Sequence, residues 1–217
     1  MNSGTKIVTP APAELIGDAH PLLEQLGATD AISLASDAAG AFQFRNVRDV
    51  ASLRSFLDTY RTQILVPLEM PTIVAAHGHA ARGEVRELVA LDARLASEKA
   101  LKEFAMASCR VGQRQLSKLR ALRDERVVQR FLTAIENGDA RGWHTLVYGV
   151  ALAVYSMPVR QGLQHYAEHT MRGFVESAAR PLRLSESAIV EILSEQSAHV
   201  PHAIELAVAP RSILTLT

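Results

Sequence analysis

Residues Thr145–Met157 have the sequence TLVYGVALAVYSM, which carries no charge and is closed by Pro158. The run is shorter than the about 20 apolar residues that a membrane-spanning helix needs. It is apolar on every side, which is typical of a helix buried at the centre of a soluble bundle. Small residues within it, Gly149 among them, let neighbouring helices approach closely. The run therefore predicts a central helix, preceded by Gly142 and His144, against which the other segments pack.

The composition of the whole chain favours an all-α protein. Apolar residues make up 48% of the 217 residues but aromatic residues only 5%, a balance that suits close-packed helices better than a β-sandwich. The length fits one domain with a substantial core. Lysine plus arginine and aspartate plus glutamate each number 23, and this zero net charge argues against non-specific binding to nucleic acid. The single cysteine, Cys109, excludes an internal disulfide.

Helical periodicity along the chain predicts a single domain of about ten helices around the central one. We expect residues 1–12 to be disordered, because they are polar and broken by two prolines. The helical domain is expected over residues 13–200 and an irregular tail over residues 201–217. With no apolar signal segment or membrane span, the cytoplasm is the expected compartment. The helices are predicted at Ala13–Leu26, Asp30–Ala39, Val50–Ile64, Pro71–Ala81, Glu84–Leu95, Glu98–Leu122, Arg123–Asn137, Thr145–Met157, Val159–Ala179 and Ser185–Ser197.

The predicted helix Glu98–Leu122 is the longest and has one face of small and apolar residues. Ala105, Ser108 and Gly112 lie together in the middle of that face. A glycine inside a helix costs about 1 kcal/mol relative to alanine. Close approach of another helix is therefore the expected reason for Gly112.

Arg110 and Arg114 point to the other side of the same predicted helix. They belong to a locally basic stretch that Asp124 and Glu125 offset in part. The stretch lacks the interleaved aromatic residues of a nucleic-acid-binding surface. We interpret the two arginines as candidates for contact with acidic groups of a protein partner.

A different function is suggested by the sequence HYAEH, which begins at His165 and fits the H-x-x-E-H motif of inverted zinc proteases. On a helix, His165 and His169 lie one turn apart and can share a metal ion, with Glu168 as the base. Both histidines fall on the helical-wheel face of Arg172 and Glu176, which we interpret as solvated rather than as the floor of a cleft. We therefore predict no catalytic residue, metal site or cofactor, and a metal-dependent hydrolase is the alternative.

Three stretches carry further motifs in a fixed order. VRDVASL, beginning at Val47, fits V-R-D-x-x-S-L, and His144–Ala153 fits an apolar helix with V-x-G near its start. Between them lie L-x-x-L-D-x-x-L and then S-x-x-x-G with a flanking arginine, carried by Leu88, Leu91, Asp92, Leu95, Ser108, Arg110, Gly112 and Leu116. Further on, a tyrosine and an A-A-x-R-like stretch match at Tyr166, Ser177, Ala178 and Arg180. Together these motifs resemble the UreF family of urease accessory proteins over most of Arg48–Leu193.

The resemblance implies an all-α fold and an accessory role without catalysis. Family members dimerise, bind the UreD/UreH scaffold and recruit the GTPase UreG, so that nickel reaches apo-urease. The resemblance implies the same partners and a homodimer here. Two stretches depart from the family pattern: ISLASDAAG at residues 32–40 only partly matches P-x-G-x-[FY]-x-x-S, and RLSE at residues 183–186 replaces P-L-G-Q. A UreF-like interaction protein with a different partner is therefore a second alternative.

Overall fold

The computed structural model describes residues 47–102 and 105–209, and these residues form helices and short connections without any β-strand. The predicted all-α class is confirmed. The predicted disorder of residues 1–12 and the predicted helices Ala13–Leu26 and Asp30–Ala39 lie outside the described residues. The α-helices of the described residues are α1 (Val50–Tyr60), α2 (Met70–Ala81), α3 (Val85–Ser97), α4 (Ala105–Lys118), α5 (Arg126–Glu136), α6 (His144–Val154), α7 (Val159–Leu182), α8 (Glu186–Ser197) and α9 (Val200–Val208).

Helix α6 is the predicted central helix. Every residue from His144 to Leu152 is buried, and α6 packs mainly against α2 and α4. A Cβ atom on Gly149 would lie only 2.6 Å from the carbonyl oxygen of Ile73 in α2, so the two helices are as close as glycine permits. The helix ends at Val154, earlier than the predicted end at Met157. The reason is Ser156, whose left-handed backbone (φ 54°) cannot continue a right-handed helix.

Helix α1 begins with a capping box, which gives the VRDVASL motif a structural explanation. The Asp49 side chain accepts a hydrogen bond from the Ser52 backbone N–H at 2.8 Å. In return, the Ser52 hydroxyl oxygen accepts one from the Asp49 backbone N–H at 3.0 Å. These two bonds pair donors that the first turn of a helix leaves without partners.

The predicted end of the first described helix before Pro67 is wrong. A π-helical segment, Arg61–Glu69, contains Pro67 and joins α1 to α2 without a break. At its end the Met70 N–H donates to the carbonyl oxygen of Leu65, five residues back. In an α-helix the proline ring would clash with the carbonyl four residues earlier. The wider turn of the π-helix avoids that contact and leaves the chain helical.

Two further helix boundaries differ from the predictions. The predicted helix Glu98–Leu122 is shorter, because Lys99–Leu101 and Leu119–Ala121 form 3-10 turns on either side of α4. The longest helix of the described part is instead α7, with 24 residues.

The predicted irregular tail from residue 201 is wrong up to residue 208, where the chain forms α9. Pro201 suggested a break, but it lies in the first turn of α9, where a helix does not use the missing N–H. The buried residues of α9 have helical spacing and include Ala203, Ile204 and Ala207. Within the described residues, no helix is long and apolar enough to cross a membrane.

Candidate functional site

A buried carboxylate on α3 holds the turn that leads into α6. Asp92 is 1% exposed, and one of its oxygens accepts a hydrogen bond from the Arg141 backbone N–H at 2.7 Å. Its other oxygen accepts from the N–H groups of Gly142 (2.8 Å) and Trp143 (3.3 Å). These donors lie next to the N-terminus of α6, where the helix dipole favours a negative charge. Asp92 therefore fixes both the conformation of the turn and the start of the central helix.

Helix α4 holds the same turn from a second side. The Ser108 hydroxyl oxygen accepts a hydrogen bond from the His144 backbone N–H at 3.1 Å. A Cβ atom on Gly112 would lie 2.1 Å from the carbonyl oxygen of Gly142. We call Asp92, Ser108 and Gly112 the α6 anchor, because all three contact or closely approach the turn at residues 141–144.

The residues predicted to pack helices together therefore make three different contacts. Ser108 and Gly112 face the turn before α6, whereas Gly149 faces α2. Ala105, at the start of α4, is half-buried and packs against the main core. The face of α4 that carries Ala105, Ser108 and Gly112 therefore contacts more than one neighbouring part of the structure.

The outward side of α4 is exposed and carries both candidate arginines. Arg110 and Arg114 are exposed. Met106, one helical turn before Arg110, is 75% exposed, although it is a large apolar residue. Methionine and arginine are both enriched in protein–protein interfaces. We call Met106, Arg110 and Arg114 the α4 surface.

The histidine pair of the H-x-x-E-H motif is not on a solvated face, so that interpretation is wrong for His165. His165 is 2% exposed, and its ring centroid lies 3.9 Å from that of the half-buried His169. The helical-wheel projection assigned His165 to a solvated face, but α7 packs against five helices, α1, α2, α6, α8 and α9, so more than one of its sides is buried. Glu168 accepts a hydrogen bond from the Gln164 side chain at 3.1 Å. The described residues contain no group of three or more His, Cys, Asp or Glu side chains placed to hold a metal ion.

A second buried carboxyl, on Glu69, was missed by the sequence analysis. Glu69 is 8% exposed, and the Tyr60 hydroxyl donates to its Oε2 at 2.5 Å. Burial raises the pKa of Glu69 to about 7, although the hydrogen bond from the Tyr60 hydroxyl acts in the opposite direction. Burial also raises the pKa of both tyrosines well above the usual value. Glu69 is therefore a buried acid that titrates near neutral pH.

Comparison with known proteins gives a match to a family model. The model is that of UreF, and it matches residues 47–197, more than two thirds of the chain. A search of curated proteins gives no match. The matched residues run from the capping box of α1 to the end of α8, and they include the α6 anchor and the α4 surface.

Proposed function

Because the chain belongs to the UreF family of urease accessory proteins, we propose that it is an assembly factor for nickel insertion into apo-urease. In this role it bridges a UreD/UreH-type scaffold and a UreG-type GTPase, and it catalyses no reaction itself. The family match over residues 47–197 is the observation that supports this role. Nickel is the cargo of the assembly and not a resident cofactor of this chain.

The α4 surface is the site that we propose for partner binding. Its two arginines can form charge-assisted hydrogen bonds with carboxylates of a partner, and Met106 adds apolar contact area beside them. The opposite side of α4 is fixed to the turn at residues 141–144 through Ser108 and Gly112. A binding surface on such a firmly packed helix loses little conformational entropy when a partner binds.

A pull-down with the scaffold and the GTPase encoded in the same organism tests this proposal. The wild-type chain is expected to capture the scaffold, and the GTPase together with it. Arg110→Glu/Arg114→Glu is expected to weaken capture at least about tenfold, which corresponds to about 1.4 kcal/mol. Arg172→Glu/Arg180→Glu is the matched control, because both arginines are exposed on α7 and the charge change is the same. The control is expected to capture both partners normally.

Urease activity in cells that lack the chain provides a second readout. Deletion is expected to leave urease poor in nickel, and the wild-type gene is expected to restore the metal content. If the chain captures neither partner and its deletion leaves urease fully active, the urease role is wrong. That result would favour a UreF-like interaction protein with a different partner.

The alternative function is a metal-dependent hydrolase that uses His165, Glu168 and His169. The proximity of the two histidine rings favours it. Against it, the Glu168 carboxylate accepts a hydrogen bond from Gln164. Among the described residues, no third His, Cys, Asp or Glu side chain lies where it could bind a metal ion together with the two histidines. Stoichiometric zinc in the purified protein, together with hydrolytic activity that Glu168→Gln abolishes, would establish the hydrolase.

A further inference from the structure

The carboxyl group of Glu69 is buried without a cation to balance a negative charge. Glu69 is 8% exposed, and the described residues give it a hydrogen bond from the Tyr60 hydroxyl of α1 but no ion pair. The Tyr166 hydroxyl of α7 interacts electrostatically with the carboxyl, and it is itself buried without a hydrogen-bond partner in the described part of the chain. Moving a carboxylate from water into such surroundings is costly, so burial favours the neutral form of Glu69.

Among the described residues, no other element that packs against the π-helical segment brings a charge to Glu69. Helices α2 and α9 and the 3-10 turn Lys99–Leu101 also contact this segment. The titratable side chains of these three elements are those of His77, His79, Lys99, His202 and Glu205. None of them, and no charged side chain of α1 or α7, shifts the pKa of Glu69. The two tyrosines are therefore the titratable groups of the described chain that act on this carboxyl.

Glu69 is also the last residue of the π-helical segment, and its hydrogen bond joins the two ends of that segment. Tyr60 immediately precedes the segment, so the bond between the Tyr60 hydroxyl and the Glu69 carboxyl spans all nine of its residues. A π-helix is rare and usually extends over a single turn. Here it also contains Pro67, which has no backbone N–H to donate. Because its backbone bonding is weaker than that of an α-helix, the segment depends on the contact between Tyr60 and Glu69.

The same segment forms part of the wall of an apolar groove. The groove has a volume of about 490 Å³ and lies between the π-helical segment, α2, α3 and α9. Pro67 and Leu68, the two residues before Glu69, line it together with Leu91 and Leu95 of α3. A change in the backbone at Glu69 therefore changes the shape of the groove.

We propose that the π-helical segment is a pH-sensitive wall of this groove, in which ionisation of the Glu69 carboxyl opens the segment and releases Pro67 and Leu68 from the wall. In the open state the carboxylate reaches water, which removes the cost of its burial. The pKa of Glu69, about 7 in the closed state, places the transition near neutral pH. Because the closed state binds the proton more tightly than the open state, opening becomes more frequent as the pH rises. The proposal does not depend on the urease role.

Hydrogen exchange, resolved by residue and corrected for the exchange rate of an unstructured chain at the same pH, tests the proposal. At the amides of the π-helical segment we expect protection to fall at least about tenfold between about pH 5.5 and pH 7.5. We expect it to be at least about tenfold lower there than at the amides of α6 at every pH, because the opening is local. Glu69→Gln is expected to abolish the fall. Glu87→Gln, which removes an exposed carboxyl of α3, is expected to exchange like the wild type.

Three results of this experiment would overturn the proposal. Protection in the wild type that does not fall with pH would show that Glu69 does not control the segment, and so would a fall that persists in Glu69→Gln. Equal protection in the segment and in α6 at every pH would show that Glu69 reaches water only when the whole chain unfolds.

Tyr60→Phe provides a variant that keeps the Glu69 carboxyl. It removes the hydrogen bond that lowers the pKa of Glu69. The loss of protection in the π-helical segment is therefore expected to continue to a higher pH than in the wild type. A loss that ends at the same pH in both proteins would contradict the proposal, because a purely structural effect of the lost hydroxyl would not move the pH of the transition.

Thiol labelling tests the groove wall itself. In a Cys109→Ser background, which removes the only native thiol, Leu95→Cys places a thiol in the groove and Leu152→Cys places one in α6, and both leucines are buried. Each is labelled with and without Glu69→Gln, because the ratio of the two rates at one pH cancels the ionisation of the thiol. We expect this ratio, without to with Glu69→Gln, to rise at least about tenfold for Leu95→Cys between about pH 5.5 and pH 7.5. Leu152→Cys is expected to be labelled at least about tenfold more slowly. Equal labelling of the two positions would show that the groove opens only on global unfolding.

Discussion

At the scale of single residues, the two buried carboxyl groups have different partners. Asp92 accepts three backbone N–H groups, whereas Glu69 accepts the Tyr60 hydroxyl in apolar surroundings. Both could have been located from the sequence, because each is an acidic residue among apolar ones at helical spacing. Their partners could not, since the turn at residues 141–143 lies about fifty positions from Asp92 in sequence. Local patterns identify which residues are buried, but only the fold determines what they contact.

The first prediction concerns the pH dependence of stability at Glu69. Its pKa is about 7 in the folded chain, against an ordinary value of 4.5. Between these values the folded state binds more protons than the unfolded state, so this group's contribution to stability falls as the pH rises from 4.5 to 7. The loss amounts to about 3 kcal/mol. A glutamine at this position cannot titrate. The free energy of unfolding of Glu69→Gln minus that of the wild type is therefore expected to rise by this amount between pH 4.5 and pH 7.

Urea unfolding of both proteins at several pH values measures this difference. Any constant effect of the amide cancels, because only the change with pH is compared. Wild-type and variant stabilities that run parallel between pH 4.5 and 7 would show that Glu69 does not have the raised pKa.

The second prediction concerns Asp92. Asp92→Ala leaves three backbone donors of the turn at residues 141–143 without their partner, two of them buried. The expected loss of unfolding free energy is about 3–5 kcal/mol, since each unpaired buried donor costs about 1–3 kcal/mol. Asp139→Ala, at an exposed residue in the same connection, is expected to change stability by no more than about 0.5 kcal/mol. Equal urea midpoints for the wild type and Asp92→Ala would contradict this role.

At the scale of helices, the sequence predicted amphipathic and apolar segments better than it predicted their ends. The central helix α6 follows from its uncharged sequence, because thirteen residues without charge suit few places other than a core. The predicted helix end at Ile64 and the predicted tail from residue 201 both lie close to a proline. Pro67, however, lies in a π-helical segment, and Pro201 lies in the first turn of α9. Helical periodicity predicts only one buried side of a helix. It could not show that α7 contacts five other helices, or that His165 is therefore buried as well.

The third prediction compares two helical glycines with opposite surroundings. At Gly112 an added Cβ would lie 2.1 Å from a backbone carbonyl oxygen, which cannot move without shifting the turn before α6. Gly112→Ala is expected to destabilise the chain by about 1–3 kcal/mol, and Gly112→Leu by at least as much. At Gly78 the nearest atom is Nη1 of the flexible Arg82 side chain, at 3.3 Å. Gly78→Ala is therefore expected to stabilise α2 by up to about 1 kcal/mol.

Thermal and urea unfolding of these glycine variants provide the measurement. Opposite signs of the stability change at the two positions are the expected result. A stabilising Gly112→Ala would mean that α4 does not approach the turn as closely as the structure shows.

At the scale of the whole molecule, the residues that carry the family resemblance mostly do structural work. Asp92, Ser108 and Gly112 lie on two helices and meet at one turn, and Asp49 and Ser52 cap α1. An ordered set of such residues identifies the fold securely. Partner choice is expected to depend instead on exposed side chains, which contribute little to the fold, and we propose those of the α4 surface for this role. This difference explains why the sequence predicts the family more firmly than the partners.

The last prediction is that the chain is a homodimer. The family resemblance implies dimers, and a zero net charge offers little repulsion between copies. A symmetric dimer would use the same surface of both copies, and exposed apolar residues outside the α4 surface, such as Val190 and Leu206, are available for it. Light scattering at micromolar concentration is expected to give twice the chain mass of 23.6 kDa.

Variants of the α4 surface separate dimer formation from partner binding. Because we assign that surface to partners, Met106→Lys and Arg110→Glu/Arg114→Glu are expected to remain dimeric while they lose the partners. A monomeric wild-type chain over the micromolar range would contradict the dimer. Monomers produced only by the α4 variants would instead place the contact between copies on α4, and the proposed partner site would then have to lie elsewhere on the molecule.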